Sequence, residues 1–145
     1  MKSSRRRARE LVLQGLYQRF LSGNDAETIR QQLAESGGFA KCDVAFFDTL
    51  WSGVTREVDV LLDALAPYLD RPVRELSPVE KSILAIGAWE LMRDVEVPYR
   101  VAINEAVELA KAYGGTDGHK YVNGVLDKLA GSVRSSEVSA RRAAR

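Results

Sequence analysis

The side chains best placed for chemistry lie at two points of the chain: a basic run, Lys2, Arg5, Arg6, Arg7 and Arg9, and a trio, His119, Lys120 and Tyr121. The first offers phosphate contacts, and the second sets two cationic or hydrogen-bonding groups beside an aromatic ring. Single-stranded RNA is bound by such mixtures, charge following the backbone and rings stacking on unpaired bases. Tyr121 reads equally well as a core ring that shows only its hydroxyl. Other chemistry finds little support. His119 is the only histidine and Cys42 the only cysteine, and no spacing sets His119 beside a nucleophile, so a surface or capping role outweighs catalysis. Gly114-Gly115-Thr116-Asp117-Gly118 lacks the spacing and the Lys-Ser/Thr of a phosphate-binding loop. One His and one Cys cannot fill a tetrahedral metal site. No enzyme activity, cofactor or metal is expected.

These groups need helices to position them. The basic run passes without a break into a segment in which Val12, Leu13, Leu16 and Phe20 share a face at helical spacing. The arginines therefore occupy the first turns of a docked helix, the end where the macrodipole prefers acids by about 0.3 to 1 kcal/mol; helix stability is not what put them there. Ser22-Gly23-Asn24-Asp25 ends this helix and caps a short one with Ala26, Ile29 and Leu33 inward, which Gly37-Gly38 ends. From Cys42 to Ala66 the pattern Val44, Phe47, Trp51, Val54, Val58, Leu61, Leu65 predicts one helix of about 25 residues, roughly 37 Å long. Pro67 and Pro72 bracket a turn.

Ser77 to Met92 is the most apolar stretch: Ser77 and Glu80 spell a capping box, Pro78 falls at the first helical position, and two apolar stripes wrap the helix, which must be central. Val95 to Pro98 turns the chain. Two helices follow, one with Ile103, Ala106, Val107, Ala110 and Tyr113 inward, the other with Val122, Val125, Leu126, Leu129 and Val133 inward. No segment alternates with period two, so the fold class is all-α. After Ser135 the Ser/Ala/Arg composition predicts a disordered basic tail, residues 135–145.

With 145 residues, 46% of them hydrophobic, the chain can bury the core of one domain. No apolar run approaches the roughly 20 residues that span a bilayer, and the single cysteine forms no internal disulfide; the chain reads as soluble and cytoplasmic, with no membrane partner. The net charge of +1 conceals an asymmetry: +5 over residues 1–9, +3 from Arg134 onward, and −7 between them. An acidic body with two basic ends raises the question of nucleic acid, although basic tails also serve solubility.

Residues 98–130, PYRVAINEAVELAKAYGGTDGHKYVNGVLDKLA, with RRRARELVLQGLY at Arg5 to Tyr17, resemble the NusB family of transcription antitermination factors. The helix at Val79 to Leu91 and the turn at Pro67 to Leu69 fit it too. The resemblance implies about seven helices in two perpendicular three-helix lobes, about residues 4–67 and 73–133, within a single NusB-like domain, 1–134. It implies binding of the boxA element of nascent, chiefly ribosomal, transcripts as single-stranded RNA, in a pair with NusE, a small-subunit ribosomal protein, within the RNA polymerase antitermination complex. Carried over by position, the RNA surface includes Lys2, Arg5, Arg6, Arg7, Arg9, Tyr68, Lys120 and Tyr121, and the partner surface Tyr17, Leu21, Glu75 and Glu80. Asp117, two residues before His119, is expected to modulate RNA affinity by repelling phosphate. The chain departs from some relatives at Arg74-Glu75, where they carry an acidic pair.

The alternatives are an accessory factor for ribosomal RNA modification or maturation built like an RNA-binding lobe, and a helix-turn-helix DNA regulator, which would need a basic recognition helix after a short turn. The sequence does not decide between a monomer and a homodimer.

Overall fold

The computed structural model describes residues 2–115 and 117–144, and among them it holds seven α-helices and no strand. Met1, Thr116 and Arg145 lie outside the described residues, and with them the middle of the Gly114 to Gly118 loop. The helices are α1 (Ser4–Ser22), α2 (Ala26–Ala34), α3 (Val44–Leu65), α4 (Pro78–Arg93), α5 (Tyr99–Tyr113), α6 (Gly118–Val133) and α7 (Ser135–Ala143). Most starts are fixed locally. The side chains of Ser3, Asp25, Asp43 and Ser77 each accept a backbone N–H one turn on, at 3.1, 2.9, 3.0 and 3.1 Å. Gly23 closes α1 with φ 73°, a left-handed conformation that glycine adopts without strain, and its N–H donates to Arg19 O at 2.9 Å.

The central helix is α4. Every residue from Ser82 to Leu91 is buried, and α4 packs against α1, α3, α5 and α6. The Ser82 hydroxyl, buried among these, donates to Pro78 O at 2.7 Å. Around α4 the inward faces supply Leu16, Phe47, Leu50, Leu61, Ile103 and Leu126, all fully buried. Among the described residues no helix is long and apolar enough to cross a membrane.

The structure corrects the sequence reading in several places. The long helix runs from Val44 to Leu65 and is broken at Glu57, whose φ −112° and ψ 18° are not helical. The break sits one turn after Gly53, where Trp89 of α4 packs so closely that a Cβ would lie 2.2 Å from its indole nitrogen. Arg93 of α4 grips the Glu57 carboxylate at 2.8 Å. Val44, in the first turn beyond the Asp43 cap, is exposed, as are Tyr113 and Val133 in the last turns of their helices, where the apolar stripe has rotated off the core.

The tail is not disordered over its described length. Residues Ser135–Ala143 form α7, because Arg134 and Val138 are buried. Arg134 donates to Leu91 O at 2.7 Å, Glu90 O at 3.1 Å, Asp94 O at 2.9 Å and Val97 O at 2.9 Å. One guanidinium thus ties the last turn of α4 to the turn that follows it, adding to the backbone bonds that Glu90 O and Asp94 O already accept from Asp94 N–H and Val97 N–H.

Candidate nucleic-acid interface

The first turns of α1 distribute their cations by helical position. Lys2, just before the helix, places Nζ 2.8 Å from Glu10 Oε2. Arg5 lies 3.8 Å from Asp43 Oδ2 with its guanidinium 4.4 Å above the Phe46 ring. Arg6 donates from Nε to Glu105 Oε2 at 3.1 Å, and its Nη2 is 3.0 Å from the same oxygen. Arg7 has no ion-pair partner among the described residues and stands at the rim of a groove of about 520 Å³. Lys2 and Arg5 are exposed, and Arg6 and Arg7 half-buried, so each can still face a ligand.

Arg9 is a correction to the expected RNA surface. Only 3% of it is exposed. It donates to Glu90 from Nε at 2.7 Å and from Nη2 at 2.8 Å, while its Nη1 is 3.6 Å from Glu105 Oε1. Helix spacing explains the placement: Arg9 shares the inward face with Leu13 and Leu16.

A second group gathers where the turn after α3 meets the start of α6. The Asp70 N–H donates to the Tyr121 hydroxyl at 3.3 Å. Arg71 lies 4.7 Å above the Tyr121 ring and is held flat by two hydrogen bonds to Asp70, at 2.6 and 3.1 Å. Hydrogen bonding to Arg71 holds the Asp70 carboxyl below the usual carboxylate range, and the same pairing raises Arg71. Burial pushes the Tyr121 phenol up. Tyr121 packs part of its ring on the core, one of the two roles the sequence allowed, and its ring face lies under the Arg71 guanidinium. Tyr68 is half-buried against the core. Lys120 is exposed and 3.5 Å from Asp117 Oδ1. Asp117 occupies the cap position of α6 but makes no side-chain cap bond; its charge faces Lys120. Among the described residues no ion pair or side-chain hydrogen bond joins the two groups; α4, which packs on both α1 and α6, is the element they share.

Two of the residues expected to meet a partner, Tyr17 and Leu21, lie toward the C-terminal end of α1. Tyr17 and Leu21 are 41% and 61% exposed. Tyr17 lines the groove that Arg7 rims, together with Gln14, Val79 and Tyr113. Glu80, next to Val79, closes the capping box by accepting the Ser77 N–H at 3.4 Å. Glu75 is exposed, at the end of the short turn Val73–Glu75.

Three residues that the sequence did not single out belong to these surfaces: Arg71, Tyr113 and Glu10. Arg71 stood in a turn with no cue toward Tyr121. Tyr113 fell on an inward stripe, and nothing in the sequence pattern drew Glu10 out. Glu10 Oε2 accepts from the Tyr113 hydroxyl at 3.0 Å as well as from Lys2.

A family model described as the NusB family matches residues 6–131. A transcription antitermination protein NusB of Ralstonia pickettii (strain 12J) is 59% identical over 141 residues, covering 97% of this chain and 91% of the relative. The protein of that name from Bordetella pertussis (strain Tohama I) is 57% identical over 143 residues, covering 96% and 93%. The solved structure of T. maritima NusB is similar with a TM-score of 0.82 at 28% sequence identity, covering 96% of this chain and 99% of that one.

Proposed function

The chain belongs to the NusB family, and from that premise we propose that it is a transcription antitermination factor that binds the boxA element of nascent, chiefly ribosomal, transcripts as single-stranded RNA. It does so paired with NusE and within the antitermination complex of RNA polymerase. The observation that carries the RNA reading is the set of accessible cations on the first turns of α1, with unpaired Arg7 at the rim of an aromatic-lined groove. The Arg71–Tyr121 stack offers a second cation and ring. Cations in this number supply salt-sensitive, largely sequence-blind attraction, and selectivity has to come from stacking and base-edge contacts.

Division of labour between two proteins suits these surfaces. A body of charge −7 weakens any field that draws RNA, and a basic partner seated along Tyr17, Leu21 and Glu80 would extend the positive surface. The test is a titration of boxA-type single-stranded RNA, and of duplex DNA of the same sequence, with and without NusE. RNA affinity that rises with NusE and exceeds that for the duplex is expected; a preference for the duplex sinks the reading. Replacing Arg6 and Arg7 by Ala should weaken RNA binding and flatten the log–log salt slope by roughly one to two units, as loss of two single-strand phosphate contacts requires. An unchanged slope removes these arginines from the interface.

A further inference from the structure

Glu10 carries a charge of the wrong sign for an RNA surface, yet it sits in the middle of one. Its Oε2 accepts from the Lys2 ammonium at 2.8 Å and from the Tyr113 hydroxyl at 3.0 Å. The layering is defined: the Glu10 side chain is 17% exposed, that of Lys2 50%, and Tyr113 is exposed. The carboxylate lies beneath, and the cation and the ring lie outside it. Glu10 is also the wall between two hollows, the groove rimmed by Arg7 and a smaller one of about 130 Å³ that Lys2, Arg6 and Glu105 line.

We infer that Glu10 is a positioning residue for single-stranded RNA, holding the Lys2 ammonium and the Tyr113 ring side by side as one site for a phosphate and its adjoining unpaired base. The inference rests on the RNA-binding reading above and deepens it. Lys2 precedes the first turn of α1, and a free lysine side chain there would lose much rotamer freedom on binding RNA. Anchoring it to Glu10 removes most of that loss in advance. An ammonium has three donors; one is engaged by Glu10, leaving others for a phosphate. The hydrogen bond to Glu10 raises the Lys2 ammonium above its ordinary value, so the cation persists at any physiological pH. Burial first, and then Glu10, push the Tyr113 phenol up, so it remains a donor.

The rival role for Glu10 has the opposite sign. A carboxylate that merely neutralised Lys2 would weaken RNA binding, and its removal would strengthen it. The test measures the affinity of a boxA-type single-stranded RNA for the full chain with its partner, across a salt series. The variants are Lys2→Ala, Glu10→Ala, Glu10→Gln and Lys2→Ala/Glu10→Ala, with Arg7→Ala reporting on the RNA reading itself. Glu10→Ala should weaken binding about three- to tenfold, as expected for loss of one pre-ordered cation, and flatten the salt slope by about 0.7, one single-strand phosphate contact. Glu10→Gln, which keeps an acceptor oxygen, should stay within about twofold of wild type, and Glu10→Ala should add less than about twofold on the Lys2→Ala background, since coupled residues are not additive.

Stronger binding by Glu10→Ala overturns the inference in favour of a counter-ion, and so does a full additive loss on the Lys2→Ala background or a Gln variant as weak as the Ala variant. Binding by Glu10→Ala equal to wild type, with Arg7→Ala impaired, overturns the inference and leaves the RNA reading standing. No RNA binding by the wild-type chain with its partner overturns both. A thermal melt of each variant separates these outcomes from loss of the fold.

Discussion

A guanidinium with 3% of its surface exposed keeps its charge only if its surroundings replace water, and Arg9 shows how. Burial alone lowers its affinity for the proton; the hydrogen bonds and charge of Glu90, with Glu105 behind, outweigh this and leave it raised. Glu90 is itself 1% exposed, so truncating Arg9 strands a buried carboxylate. Arg9→Ala should therefore cost about 3 to 5 kcal/mol, whereas Arg9→Met with Glu90→Leu should be nearly neutral. Urea unfolding at constant m checks both, and a single variant that loses less than about 1 kcal/mol refutes the pairing as a structural requirement. At Asp117 the effect is on binding instead. Because its carboxylate faces exposed Lys120 and makes no cap bond, Asp117→Asn should strengthen RNA binding about two- to fivefold, the range of an exposed ion pair, with no change in melting temperature. RNA affinity unchanged in a titration would return Asp117 to a purely local role. At this scale legibility depends on whether partners share an element. The Arg9 burial was readable from its spacing to Leu13 and Leu16. The Asp70–Tyr121 bond, 51 positions apart, and the Arg71 stack beside it were not, because no periodicity links a turn to a distant helix.

Helix α7 exists through two side chains rather than through its composition. Arg134 turns inward onto the carbonyls at the end of α4, and Glu137 Oε2 accepts the Tyr99 N–H at 2.8 Å, capping α5, whose Pro98 offers no side-chain cap. A composition rich in Ser, Ala and Arg says nothing of this, so the sequence predicted disorder where one buried arginine and Val138 suffice to dock a helix. Acid in its first turn and arginines in its last then suit the macrodipole. Burial tends to raise Glu137, but the Tyr99 N–H and the Arg134 guanidinium hold it below the usual glutamate value. A folded-state value below the unfolded one means that the carboxylate stabilises fully above the unfolded value and loses that contribution as pH falls through the lower, folded one. Its side chain is 39% exposed, so solvent screening limits the effect. Glu137→Gln should cost about 1 kcal/mol at neutral pH, and the difference from wild type should begin to shrink as pH falls past the unfolded glutamate value of about 4.3 and be lost once the pH is below the folded one. A difference that does not shrink in thermal melts as the pH is lowered would show that the charge is not what matters. The break in α3 has a similar origin. Periodicity within the segment predicted one straight helix, and the bend at Glu57 depends on Trp89 and Arg93 of α4, which that periodicity cannot report.

The all-α class was legible throughout because every segment repeats near 3.6 and none near two, and the centrality of α4 followed from apolar stripes that leave no polar face. Charge was harder to read as a whole. The +5 of residues 1–9 suggests a strong local field, yet the folded chain sets Lys2 against Glu10, Arg6 against Glu105 and Arg9 against Glu90. Arg5 stands 3.8 Å from Asp43 Oδ2, which leaves Arg7 without an ion-pair partner among the described residues, and under the proposed function a basic partner would make up the weakened field. Glu80 is where that partner can be tested apart from RNA. It half-closes the capping box of α4, with the longer of the two bonds at 3.4 Å, and stands beside the Tyr17 and Val79 groove. Glu80→Gln keeps an acceptor for the Ser77 N–H and removes only the charge; Glu80→Lys reverses the charge and opens the box. A rim charge acts chiefly on the association rate. Both variants should slow association with NusE, Lys more than Gln, by about three- to tenfold at low salt, and the deficit should shrink as ionic strength shortens the Debye length below about 8 Å. RNA binding by the chain alone should change little if, as proposed, Glu80 meets the partner and not the RNA. Stopped-flow association at two salt concentrations decides the matter: rates equal to wild type in the Gln variant would take Glu80 out of the interface, and equal losses of partner and RNA binding in the Lys variant, with Gln normal, would trace the defect to the opened cap of the central helix.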